Sequence, residues 1–138
     1  MNILELALIG QGALIAVAFV CGIWSIRATK RYLAANPTIG DEGALEEFKS
    51  LARLDMYLSL VTIASFVGAV ICSLPQLLIS FELAVLPLLI VAPGLALFHK
   101  WLTNVQKAVW SLDARDEEMQ REVAAIIECW QHKPFPNF

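Results

Sequence analysis

Between Leu6 and Ile26 the chain carries no charged residue for 21 positions. As a helix rising about 1.5 Å per residue, that run is as long as the roughly 30 Å hydrocarbon core of a bilayer is thick. The same constraint returns downstream. Met56 to Phe81 is uncharged for 26 residues and Leu83 to Phe98 for 16, with Glu82 alone between them. The 43 residues of 56–98 are too many for one crossing and suit two helices joined by a turn. The turn is expected between Leu74 and Glu82, where Pro75 interrupts the backbone ladder. The fold class is therefore all-α: three transmembrane helices near 4–26, 56–76 and 80–100, with a helical extension in the aqueous phase.

Composition agrees and excludes the other broad classes. Apolar residues make up 58% of the 138 and charged residues 17%, against about 45–50% and 25% in ordinary globular domains. Such a chain is too apolar to be disordered. Its net charge of -3 and pI near 5.3 argue against a nucleic-acid partner. Three cysteines make no disulfide scaffold.

All ten Lys and Arg residues lie in 27–55 or 99–138. Basic residues are retained on the cytoplasmic side, so both segments are expected there, with the N-terminus and the turn between helices two and three outside. This is the topology of an integral protein of a bacterial inner (cytoplasmic) membrane. Trp24, Tyr32, Tyr57 and Trp101 fall at the expected inner interface. With no basic residue ahead of it and Arg27, Lys30 and Arg31 behind it, the first helix reads as a reverse anchor, not a cleavable signal.

In the aqueous part, Asn36-Pro37 and Gly40 mark a loop. Asp41 is a natural N-cap for a helix over 41–55, whose apolar face is Leu45, Phe48, Leu51 and Ala52 and which can run on into the second crossing. Residues 1–100 thus form the membrane region with its loop and short helix. Residues 101–138 form a separate extension with an aromatic, proline-spaced tail. Leu102, Val105, Val109, Leu112, Asp116, Met119, Val123, Ile126 and Trp130 follow one another at alternating spacings of three and four. That is a heptad seam, so 101–132 is expected to be one long helix and the seam an interaction surface, with Asp116 its single polar position. Its cover is either the 41–55 helix of the same chain or another chain in a coiled coil.

Chemistry is thinly represented. No nucleophile elbow, phosphate loop or zinc-protease motif occurs, so no catalytic residue, resident cofactor or metal is assigned and no enzyme is expected. His99, at the inner end of the third helix, is the one candidate axial ligand for a haem or pigment. The cluster of Glu128, Cys129 and His132 is only half a metal site. Glu82, at the outer turn, would form an acidic ring in a homo-oligomeric pore. Gly12/Ala16, Ala18/Gly22 and Ala64/Gly68 are small-residue pairs that let membrane helices approach closely. The leading expectation is a non-enzymatic accessory or scaffolding subunit of a membrane protein assembly, in contact with the lipid bilayer and with other subunits or its own copies. The alternatives are a homo-oligomeric channel or membrane-perturbing effector, and a cofactor- or pigment-carrying subunit of an electron-transfer or light-harvesting complex.

Overall fold

A computed structural model describes residues 2–138, without the side chain of Leu83. Four helices follow in order: α1 (Ile3–Ala35), α2 (Glu42–Leu77), α3 (Phe81–Trp110) and α4 (Glu117–His132). The first three are long and apolar enough to cross a bilayer, the architecture of an integral membrane protein. At 33, 36 and 30 residues they are about 50, 54 and 45 Å long. Each exceeds the roughly 30 Å hydrocarbon core. The surplus gathers at one end, where it builds a cap with α4.

The boundaries follow local chemistry. Asp41 caps α2 as expected, its carboxylate accepting from Ala44 N at 2.8 Å. From there α2 runs unbroken through the 41–55 segment into the membrane. Pro75 sits in its last turn, and the chain reverses over Leu78–Ser80, inside the expected window.

The cap has a core of its own. Phe48 is fully buried at its centre, its ring 5.9 Å from Tyr32 and 6.0 Å from Trp130. Leu51, Ala52 and Met56 from α2, Val109 from α3, and Val123, Ile126 and Cys129 from α4 close around it. Truncating a buried Phe to Ala typically costs about 3–5 kcal/mol, so this cluster supplies much of what holds the cap together. Tyr32 belongs to this core and not to the interfacial belt. Its hydroxyl donates to Ala44 O at 3.0 Å, whereas Trp24, Tyr57 and Trp101 are exposed.

The expected single helix over 101–132 is corrected. α3 ends at Trp110, and α4 starts at Glu117 and returns onto α2. Ser111, Asp113 and Asp116 supply the reason, since short polar side chains compete for backbone groups and favour helix ends. The Ser111 hydroxyl donates to Ala108 O at 3.0 Å, and the Asp116 carboxylate accepts from Met119 N at 2.9 Å as the N-cap of α4. The linker's backbone is satisfied by the loop after α1. Ile39 N donates to Asp113 O and Arg115 N to Ile39 O, both at 3.0 Å. Asp116 is thus an exposed cap, and the seam is cut at Leu112 and Asp116. Val109, Val123, Ile126 and Trp130 are buried in the cap core and Leu112 and Met119 pack against it, while Leu102 and Val105 lie outside it and are half-buried.

The tail also turns inward. The Cys129 thiol donates to Asn137 Oδ1 at 2.9 Å, and Arg53 Nε donates to Phe138 O at 3.0 Å with its guanidinium 5.6 Å from the Phe138 ring.

Candidate functional site

Where the cap meets the membrane helices, all four helices converge on one carboxylate. Asp55 follows Leu51 and Ala52 by one turn on the buried face of α2 and precedes Met56, so it is carried inward with them and is 1% exposed. The Ser25 hydroxyl of α1 donates to its Oδ1. The Gln106 amide of α3 donates to Oδ2 at 2.6 Å and the Trp130 indole of α4 to the same oxygen at 2.8 Å. Every partner donates and the carboxylate accepts. Among the described residues no Lys or Arg forms an ion pair with it. Removing a carboxylate from water costs several kcal/mol unless hydrogen bonds replace the lost hydration. Here one donor from each of the other three helices does so. The carboxylate therefore registers the helices against one another.

A cavity of about 310 Å³ opens beside this junction. Asp55, Gln106 and Trp130 form its polar side, and Met56, Leu60 and Ile63 its membrane side. Trp110 also lines it, with Nε1 buried and without a hydrogen-bond partner. Its ring packs edge-on against Trp130 at 6.1 Å.

A second polar contact lies near the other end of the membrane helices. Gln76 Nε2 donates to Gln11 Oε1 at 3.0 Å, both side chains being buried. Interhelical amide bonds of this kind join membrane helices. The remaining donor of Gln11 and the remaining acceptor of Gln76 have no partner.

The residues singled out from sequence separate into two groups. Gly22 is pressed against α3: a Cβ there would lie 2.1 Å from the Phe98 ring. Gly68 is pressed against α1, a Cβ standing 2.9 Å from Leu14 Cδ1, and Ala18 is buried. These pack the chain's own helices. Gly12, Ala16 and Ala64 are exposed, and a Cβ on Gly12 meets nothing within 4 Å. His99 and Glu82 are exposed as well, and no cluster of three or more metal-ligating residues occurs among the described residues.

Sequence reasoning passed over Asp55. It stands one residue before the uncharged run and reads as an ordinary flanking charge. The available signal was its phase, one helical turn after Leu51 on the apolar face.

The aqueous surface carries its own ion pairs. Lys49 Nζ lies 2.6 Å from Glu122 and 2.8 Å from Glu46, tying α2 to α4. The hydrogen bonds to these carboxylates, Glu122 first, raise the Lys49 pKa, and the bond from Lys49 lowers that of Glu46. Burial, then the carboxylates of Glu47 and Asp41, push Tyr32 up to about 12.

No protein-family model matches the chain, and comparison with curated proteins and with solved structures finds no match either.

Proposed function

We propose that the chain is a small non-enzymatic accessory or scaffolding subunit of a membrane protein assembly. It lies in a bacterial cytoplasmic membrane, with its N-terminus outside and the cap in the cytoplasm. One observation carries the reading: the Gly12/Ala16 face of α1 is open. The other tight approaches, at Gly22 and Gly68, are occupied by the chain's own side chains, whereas Gly12 has only open space in front of it. Without a hydrophobic driving force inside lipid, helices associate where small residues let backbones come close. A glycine–alanine pair facing outward is a surface of that kind. The cap offers less, because Val109, Val123, Ile126 and Trp130 of its apolar seam are buried in its own core. Asp55 supports a rigid scaffold, since its three partners are all helix-joining donors.

A small-residue face can also pair with its own copy across a two-fold axis, so a homo-oligomer is the second reading. The test uses the gap in front of Gly12. Gly12 is exposed and a Cβ there meets nothing within 4 Å, so the melting temperature of Gly12→Leu should match that of the wild type. Extracted gently from its own membrane, the wild type should run as a complex and Gly12→Leu as a single chain. Mass analysis of the complex separates foreign subunits from copies. A wild type that is monomeric under the same extraction overturns both readings.

A further inference from the structure

We propose that the groove between α1 and α2 at the membrane boundary binds the headgroup of one aminophospholipid of the phosphatidylethanolamine type. The proposal rests on the membrane reading and not on the Gly12 face. The groove has a volume of about 1200 Å³, and both its walls are helices. Its lining changes character in the order in which such a lipid changes character.

The Ser25–Asp55 hydrogen bond sets a common level for the two helices. Val20, Ile23 and Trp24 line the groove on the membrane side of that level. Arg27 and Arg31 stand about 3 and 9 Å beyond it by helix rise, and Glu47 and Glu46 about 12 and 13.5 Å beyond it on the antiparallel wall. From the bilayer outward the groove therefore presents apolar surface, two guanidinium groups, then two carboxylates. An aminophospholipid presents acyl chain, phosphate, then primary ammonium.

The charged groups are free to engage. Among the described residues neither Arg27 nor Arg31 pairs with a carboxylate, while nearby Lys30 is held 5.1 Å from the Trp101 ring centroid. Guanidinium forks suit phosphate oxygens. Glu46 engages Lys49 through Oε1, and Glu47 accepts from Asn36 Nδ2 through Oε2 at 3.1 Å. Each carboxylate keeps its second oxygen for another donor. Two cations and two anions make the lining neutral but polarised, which fits a zwitterion better than an anionic headgroup. A primary ammonium donates hydrogen bonds to carboxylates, whereas a quaternary one cannot.

The experiment is native mass spectrometry of the full chain released from nanodiscs holding equal amounts of phosphatidylethanolamine, phosphatidylcholine and phosphatidylglycerol. One retained phosphatidylethanolamine is expected, favoured about tenfold over either competitor, the discrimination of one charge-assisted hydrogen bond. Arg27→Gln with Arg31→Gln should remove the retained lipid. Both side chains are exposed, so the melting temperature should hold. Glu46→Gln with Glu47→Gln should keep a lipid but turn the preference toward phosphatidylglycerol. Should that pair disturb the cap through Lys49, Glu47→Gln alone gives the same turn in smaller measure. Equal retention of the three lipids, a wild-type preference for phosphatidylglycerol or phosphatidylcholine, or retention indifferent to the arginines overturns the proposal. A preference unmoved by loss of the carboxylates overturns the assignment of the ammonium.

Discussion

Asp55 shows how one residue can hold a membrane boundary together. Its carboxylate meets donors from three other helices, so its loss strands all of them at once. A buried group left without its partner costs about 1–3 kcal/mol. The Ser25 hydroxyl can rotate to another acceptor, but the buried Trp130 indole cannot. Asp55→Ala should therefore cost about 3 kcal/mol or more, read as a large drop in melting temperature with a red shift of tryptophan emission. Asp55→Asn, which keeps an acceptor oxygen, should cost less. Equal and small effects would show that the donors are served otherwise. Tyr32 offers a second test at this scale. Its pKa in the fold is about 12 against an ordinary 10.0. The fold therefore favours the protonated phenol, and the stability this contributes is present below pH 10 and lost as pH rises through 12. The chain has two tyrosines, so alkaline absorbance titration of a Tyr57→Phe variant reports Tyr32 alone. A midpoint near 12, with unfolding on its heels, is expected; a midpoint at 10 would place the ring in water.

At the scale of elements, the break between α3 and α4 is the most instructive feature. The apolar periodicity over 102–130 passes through it without a change of phase, which is why it reads as one helix. The capping signal was nevertheless present: Asp116 followed by Glu117 and Glu118 repeats the pattern of Asp41 followed by Glu42. Periodicity reports which residues face an apolar neighbour, and a returning helix can present them as well as a continuing one. Asp116 is thus a cap, and Asp116→Ala should cost about 1 kcal/mol, the usual value of an N-cap. Asp116→Leu should be equally unfavourable, whereas a buried seam position would gain stability from leucine. Thermal melting of the two variants decides between the roles. Val109→Asp should disrupt the cap, because Val109 is fully buried, and Ala108→Asp on the exposed side should change melting little.

The whole molecule has a polarity that one side chain in fourteen carries. All ten basic residues lie on the cap side of the membrane helices, and the proposed cytoplasmic placement of the cap rests on the charge rule for membrane proteins. A fluorescent protein that matures only in the cytoplasm, fused after Phe138, should be bright, and a periplasmic enzyme reporter fused ahead of Asn2 should be active. A dark C-terminal fusion in a stable protein would reverse the orientation. The cap is also expected to unfold as a unit, since loops 36–41 and 111–116 are clipped together through Ile39 and the same core takes residues from every helix.

Three long apolar helices, the turn between the second and third, the Asp41 cap and the continuity of 41–55 into the second helix were legible from residue order, whereas the first and third helices run on past the expected 26 and 100 to Ala35 and Trp110. Each depends on local quantities: the length of an uncharged run, the propensity of a cap, the period of an apolar face. The contents of the cap were not legible. Whether Val109 and Trp130 meet Phe48 or another chain, and whether Gly12 or Gly22 receives a neighbour, depends on how helices distant in sequence pack. Small-residue pairs look alike along the chain, and only their surroundings distinguish an occupied face from an open one. Asp55 is the sharpest case. An isolated Asp at the edge of an apolar run predicts a solvated charge, and only the arrival of Ser25, Gln106 and Trp130 from 30, 51 and 75 residues away makes its burial tolerable. Solvation of a charge is settled by the groups around it in space, and their meeting is a property of the tertiary fold.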